Sequence, residues 1–516
     1  MGDRRRRSSD SRLRPRHRSK RLGTGRCRGG SDLRQDHLAT FYAIGQRSHL
    51  HGRAIVNLDR ILDVLNKAHT GPVYQERDFN LGVVTSVISS KIEKHGLKGV
   101  VDTENPIGSD DDLADRIYQA GFEAAVEIGL LCSDTSRAIR FTAEELQAAI
   151  DEAPSEFWLG DGDQRVHFQH RDLDDPTPPV WTVPLSIAVS EDVFVPLVQG
   201  LASSKVTDCL EGPSLETIYG YPLRSGSPYE HLAGRYQADL MYEAVRRSGR
   251  VGMPMDAIGS STTHYGLLGG YGMEGGYRPK HDLVTILSIA DFWTSYESLF
   301  KLTQTYVTGG EHISASTWVM LGGYAGGPEG TAVASVAYTL LMIAVFQGSR
   351  GGVPPFDLSY MGNCGRRAQW TLSVANQAIT RNTRLVYHSV ANQVAGPGTK
   401  MLLYETLVSS ITMAVTGVAN VVGVRSAGGR LTDYLTPLEH QFGGEVFKAA
   451  AGMSREEGNA IVTRFFSEYE TELMTPPDGQ RFQELYDIEN LEPIPEWNRL
   501  YEEVRKEAIE AGVPLD

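Results

Sequence analysis

After residue 171 and as far as about residue 450, short apolar stretches alternate with longer amphipathic ones, and this alternation constrains the fold more than any other feature of the chain. The stretches at 207–210, 252–255, 283–287, 312–321, 354–359, 385–388 and 421–426 are strand-sized. Amphipathic runs such as 229–247, 368–380 and 402–416 separate them and read as helices. Seven such repeats point to an α/β fold, a closed parallel (β/α)8 barrel of TIM type. An open doubly wound sheet is the alternative that the pattern alone leaves. With 516 residues, the chain has room for a barrel and for extensions at both ends.

Residues 1–34 read as a basic tail. Positions 1–30 hold twelve Lys and Arg against Asp3 and Asp10, with no apolar residues able to offset the entropy of ordering. They also lack the hydrophobic stretch of a secretory or twin-arginine signal, so the tail is expected to be disordered and dispensable. Residues 35–112 form an expected N-terminal helical extension, in which 55–68 (IVNLDRILDVLNKA) repeats apolar residues at three- and four-residue spacing. The barrel domain is expected over 113–474. Within it, Thr142 and Glu145 have capping-box spacing, and 157–171 partly alternates as a hairpin would. Residues 475–516 read as a C-terminal arm ending in an amphipathic helix, 495–511, that stops at Gly512. The most apolar run, 331–346 (TAVASVAYTLLMIAVF), is slightly short for a bilayer span and is polar-flanked; a buried helix is expected, and no membrane association.

Beyond the tail the chain is strongly acidic, enough to bring the whole to −14. An acidic body argues against a nucleic-acid-binding surface, which needs the opposite sign. Cys27, Cys132, Cys209 and Cys364 are not spaced as metal ligands or as a redox pair, and scattered single thiols fit a reducing cytoplasm. No HExxH, GxSxG or phosphate-loop motif occurs, and no GxGxxG follows a strand, so neither a resident metal nor a nucleotide is expected.

Barrel enzymes assemble their sites at the C-terminal ends of the strands. Asp256 follows the second apolar stretch, and Ser260 lies in the loop after it. Tyr324 sits in the glycine-rich turn after the fourth, Asp357 and Tyr360 close the fifth, and His388 and Asn392 follow the sixth. Each also has a plainer reading. Asp256 can cap a helix, His264, His281, His312 and His388 can be satisfied core histidines, and the glycines can be tight turns. Pattern alone therefore supports a barrel enzyme whose pocket contains Asp256, Ser260, Tyr324 and Asn392.

Several motifs go further. Gly129-Leu130-Leu131-Cys132-Ser133-Asp134-Thr135, Ser190-Glu191-Asp192-Val193-Phe194-Val195-Pro196, Ser227-Pro228-Tyr229-Glu230, Gly322-Gly323-Tyr324-Ala325-Gly326-Gly327, Ala395-Gly396-Pro397 and Arg481-Phe482-Gln483-Glu484 occur in this order. With them, residues 95–515 resemble the monomethylamine:corrinoid methyltransferases. The resemblance implies a barrel enzyme that assembles as a homo-oligomer and binds a small methylated amine deep in the barrel. It implies no tightly bound cofactor. Instead, cobalamin carried by a partner corrinoid protein docks over the barrel mouth, and the methyl group passes to its Co(I).

The resemblance also implies departures. The family's defining residue is pyrrolysine, and Gly252-Met253-Pro254-Met255 puts Asp256 in its place. The family's two site glutamates fall on Ser316 and on an apolar residue near Ile286, and its site glutamine and tyrosine on Val390 and Asn392. The scaffold thus matches while the residues around the substrate do not. Co(I) takes a methyl group readily only when the nitrogen leaves neutral, a condition that a quaternary ammonium already meets. A carboxylate such as Asp256 could hold such a cation, with Tyr271, Tyr277, Trp318 or Tyr324 adding about 0.5–2 kcal/mol of cation–π attraction. The expected site is Asp256 with Ser260, Ser316, Tyr324, Asp357, His388 and Asn392. The competing expectations are a barrel lyase or hydrolase using Asp256 or a histidine as base, and a non-catalytic ligand-binding relative.

Overall fold

Eight parallel strands are hydrogen-bonded in chain order: β1 (Val180–Val183), β2 (Cys209–Leu210), β3 (Asp256–Ala257), β4 (Leu283–Leu287), β5 (Ile313–Ser316), β6 (Arg350–Gly352), β7 (Val386–Val390) and β8 (Asn420–Val422). The structure is a computed structural model that describes residues 56–257 and 263–515. The basic tail, the start of the expected N-terminal extension and Ser260 lie outside the described residues. β8 pairs back onto β1 through Val421 and Trp181, and a parallel bridge from Leu210 to Met255 joins β2 to the chain entering β3. The ring is therefore closed, which removes every exposed strand edge. A helix follows each strand, from Glu191–Ser203 after β1 to Pro437–Ala449 after β8.

Three strand expectations are corrected. The segment 252–255 precedes β3, which starts at Asp256 itself. The stretch 354–359 is not a barrel strand. β6 is Arg350–Gly352, whose two glycines carry no strand signal, and Pro355–Asp357 instead pairs with Val319–Leu321 on the rim. That second pairing also splits the expected 312–321 strand in two. β1 was not foreseen, because Val180-Trp181-Thr182-Val183 is enclosed by Pro178, Pro179 and Pro184, which read as loop.

The hairpin of Glu156–Leu159 and Val166–Gln169 closes the bottom of the barrel. Phe157 stacks on Phe168 with centroids 5.0 Å apart, and both pack under Val180, Leu283 and Val386 at the strand N-termini. His312 stacks on Phe157 at 4.6 Å and its Nδ1 lies 3.1 Å from Ser349 Oγ, a structural histidine. The apolar helix Pro328–Phe346 is buried almost throughout. Its inner side packs on β5 and β6, and its outer side is covered by Asp111–Ile128. Gly121 makes that crossing close, since a Cβ there would lie 2.5 Å from Val336 Cγ1. The C-terminal helix Pro495–Glu510 docks by Trp497, which is fully buried and donates from Nε1 to Thr436 Oγ1 at 3.0 Å.

Candidate functional site

Side chains alternate along a strand, so every second residue of each strand enters the barrel. Near the strand N-termini these inward residues form one polar layer. Arg350 from β6 crosses to pair with Asp256 of β3. The same guanidinium donates to Ser314 Oγ of β5 at 3.0 Å and to Asn420 Oδ1 of β8. Thr285 of β4 donates its hydroxyl to the other Asp256 oxygen. Asn420 completes the layer by donating to Thr182 Oγ1 at 3.0 Å and to the Val180 carbonyl at 2.9 Å. Asp256 is 0% and Arg350 1% exposed. Burial pushes the Asp256 carboxyl upward while Arg350 and Thr285 pull it back. Asp256 is therefore part of the barrel floor, with both oxygens engaged. This corrects the expectation of a free strand-end carboxylate, which rested on reading 252–255 as the strand.

A second layer lies nearer the mouth. Ser316 ends β5, and its hydroxyl donates to the Gly352 carbonyl at 2.8 Å. His388 Nε2 lies 3.2 Å from the same oxygen. Ser316 has only one proton to give, so His388 is the donor from Nε2, and its Nδ1 is left as an acceptor. That Nδ1 is buried and has no hydrogen-bond partner. Burial, reinforced by the Arg350 charge, holds the imidazole well below its usual range, so it stays neutral. Asn392, two residues past β7, donates to the Met361 carbonyl at 3.2 Å and accepts from Arg425 Nη1 at 3.3 Å.

The remaining expected residues stand apart. Asp357 is on the rim ribbon, where it accepts from the amide and hydroxyl of Ser359 at 2.9 and 2.6 Å, a turn cap. Tyr324 is on an exposed rim turn whose backbone carbonyl accepts from Thr85. Of the candidate aromatic faces, Tyr271 and Tyr277 are buried in packing outside the barrel, and Trp318 meets Phe356 edge-on at 5.4 Å. The structure thus joins Ser316 to His388, sets Asp256 beneath them, and leaves Asp357 and Tyr324 at the rim.

Two residues of the interior escaped the sequence reading. Glu211 directly follows β2, on the inward face it shares with Cys209, and is 3% exposed. Its carboxyl accepts from the Ser186 amide at 3.2 Å. Burial, with the Asp256 charge on the neighbouring strand, pushes it up to about 8, against the pull of Ser186, Arg350 and Arg425. Arg425, three residues past β8, accompanies it; its backbone amide is held by Gln393 Oε1 at 3.1 Å. The strand at 207–210 was foreseen, so the rule that reactive groups follow strands would have found Glu211. Arg425 was lost because 421–426 was read wholly as strand.

Fold and site together define a (β/α)8-barrel enzyme whose polar groups are enclosed by the strand ends. Residues 59–513 match the family model described as Monomethylamine methyltransferase MtmB. The chain belongs to this family of methyltransferases. It is 29% identical over 457 residues to monomethylamine methyltransferase MtmB2 of Methanosarcina acetivorans, covering 87% of this chain and 97% of the relative. Against the MtmB of Methanosarcina mazei it is 28% identical over the same length and shares. The crystal structure of the Methanosarcina barkeri monomethylamine methyltransferase superposes with a TM-score of 0.83 at 27% identity, over 88% of this chain and 98% of that one. A crystal structure of a hydroxylamine complex of MtmB matches equally well.

Proposed function

We propose that the chain transfers a methyl group from a small N-methylated amine, bound in the upper barrel, to a corrinoid carried by a partner protein. The observation that carries this reading is the interior of a family barrel: a neutralised Asp256–Arg350 floor, and His388 Nδ1 and Arg425 Nε buried without a partner. The transfer breaks a C–N bond and leaves its electron pair on nitrogen, so the amine departs neutral only if that nitrogen was cationic beforehand. When docked, the corrinoid supplies a cobalt centre able to accept the methyl carbon.

This chain's part is to bind, to orient and to exclude water. The Asp256–Arg350 pair cancels charge beneath the pocket, so the floor neither attracts nor repels an ammonium strongly. His388 Nδ1 can accept an N–H from an amine, and Ser316 fixes the ring that offers it. Glu211, whose proton burial holds up to about 8, can release it to balance a bound cation. Asn392 holds Arg425 in place.

The rim fits a partner carrying a large flat cofactor. Ile289, Tyr324, Leu358 and Met361 are exposed apolar side chains on the loops that follow β4, β5 and β6, at the C-terminal end of the strands. The unpaired buried thiols of Cys132, Cys209 and Cys364 support a reducing, cytoplasmic setting. Exposed Tyr219, Tyr221 and Leu232 support self-association.

The test is methylation of a supplied Co(I) corrinoid by the purified full chain, followed by absorbance, with methylamines, quaternary ammonium compounds and methoxy compounds as donors. Transfer from an N-methyl donor is expected. Transfer from methoxy compounds alone would overturn the reading.

A further inference from the structure

A carboxyl and a guanidinium are buried inside the barrel without meeting each other. Glu211 follows β2 and Arg425 follows β8, two strands away around the ring, with only β1 between them. The two groups sense each other's charge, yet among the described residues the ion pair within the barrel interior is the floor pair, Asp256–Arg350. Among the described residues, Glu211 takes one hydrogen bond, from the Ser186 amide. Arg425 donates from Nη1 to the neutral Asn392 oxygen at 3.3 Å, and its Nε is buried with no partner. Burying a carboxyl and a guanidinium in one chamber without joining them is costly. A protein gains from that arrangement when a third body bridges the two.

We propose that the substrate is zwitterionic, an N-methylated amino acid whose ammonium group lies at Glu211 and whose carboxylate lies at Arg425. A guanidinium is the side chain best suited to a carboxylate, because its planar fork offers parallel donors. A simple methylamine would meet Glu211 and leave Arg425 unanswered. A methylated compound lacking nitrogen would leave Glu211 unanswered. Only a ligand carrying both charges satisfies both. His388 Nδ1 then remains for an N–H, where the nitrogen still carries one. This inference rests on the interior binding an N-methyl donor, and it narrows the class of that donor.

Two matched ligand pairs test it by calorimetry on the full chain: methylamine against N-methylglycine, and tetramethylammonium against trimethylammonioacetate. In each pair the carboxylate-bearing member should bind roughly 10- to 150-fold more tightly, the range for a charge-assisted contact. In Arg425→Met the members of each pair should bind alike, whereas Arg425→Lys should keep part of the preference. Glu211→Gln should weaken all four ligands. Melting temperatures identify any variant that has merely unfolded, and the wild-type comparison stands without them. Equal affinity within both wild-type pairs, or a preference that survives Arg425→Met, would overturn the proposal. Co(I) methylation by methylamine without any such preference would sink this inference and leave the methyltransferase reading intact. An Arg425-dependent preference without methylation of Co(I) by any of the four would do the reverse.

Discussion

Arg350 on β6 closes on the carboxylate of Asp256 on β3, three strands away, so a single ion pair spans the inside of the barrel. The two charges stabilise each other where water does not reach, and each would be stranded without its partner. Asp256→Asn should therefore cost about 3–5 kcal/mol of stability, the usual range for breaking a buried pair from one side. The double change Asp256→Leu with Arg350→Met should cost less than Asp256→Asn alone. Chemical denaturation of the three proteins decides. An Asp256→Asn chain as stable as wild type would show that the pair does not hold the floor.

The Ser316 hydroxyl serves two neighbours, giving its proton to Gly352 O and receiving one from His388 Nε2. Ser316→Ala leaves a buried carbonyl without its donor and a buried imidazole N–H without its acceptor. A loss of about 1–3 kcal/mol is expected, the cost of an orphaned buried polar group. Ser316→Thr keeps the oxygen and should lose less. Urea unfolding midpoints measure both, and equal midpoints for Ala and wild type would remove Ser316 from any positioning role.

The barrel itself was legible in the sequence because a buried parallel strand followed by an amphipathic helix writes a period that chance does not repeat. What could not be read is where that signal is physically weak. β6 is Arg-Gly-Gly, built for a charge reaching inward and for close packing: a Cβ at Gly352 would fall 1.7 Å from the His388 carbonyl. β1 is hidden between prolines. The site failed differently. A strand that starts at 256 rather than 252 turns Asp256 from a mouth residue into a floor residue, and only the partner 94 positions away, Arg350, reveals which it is. Ser316 entered the expected site through the family resemblance, and His388 and Asn392 through their place at and after the sixth apolar stretch, so none of the three depended on the position of β3. Glu211 and Arg425 gain meaning only from their separation in space, which no local pattern carries.

The C-terminal helix is bound to the barrel by a few specific contacts. Trp497 is buried against Thr436, Lys400 pairs with Glu503, and the Tyr404 hydroxyl donates to Glu507 at 2.7 Å. The ion pair is partly exposed and contributes little. Trp497→Ala should cost about 3–5 kcal/mol, combining lost burial with a cavity. Trp497→Phe, which keeps most of the ring and loses the hydrogen bond, should cost less. Melting curves for the two variants separate packing from hydrogen bonding, and a Trp497→Ala chain that melts with wild type would mean that the arm is not docked.

The last prediction concerns pH. Burial pushes the Glu405 carboxyl up to about 8 and the Glu439 carboxyl up to about 7, and Glu211 likewise to about 8. In the unfolded chain these groups titrate near 4.5. Between that value and the folded one, the native state binds more protons than the unfolded state. Stability must therefore be fully present below about 4.5 as far as these groups are concerned, and must fall as pH rises towards 8. The buried histidines act in the other direction but elsewhere. His312 and His440 are held down to about 4, so their effect is confined below the ordinary histidine range. From pH 6.5 to about 8 these glutamates carry the decline, at most about 1.4 kcal/mol per pH unit for each proton, and above that buried Lys301, held down to about 8, begins to oppose it. Glu405 accepts from the backbone amides of Val394 and Ala395 at 3.0–3.2 Å, and a glutamine would keep an oxygen there. Glu405→Gln should accordingly flatten the decline without abolishing folding. Denaturant midpoints at pH 6.5, 7.5 and 8.5 on both proteins make the comparison. A wild-type stability that rises across this window would contradict the assignment, and an identical slope in Glu405→Gln would move the effect to Glu439 and Glu211.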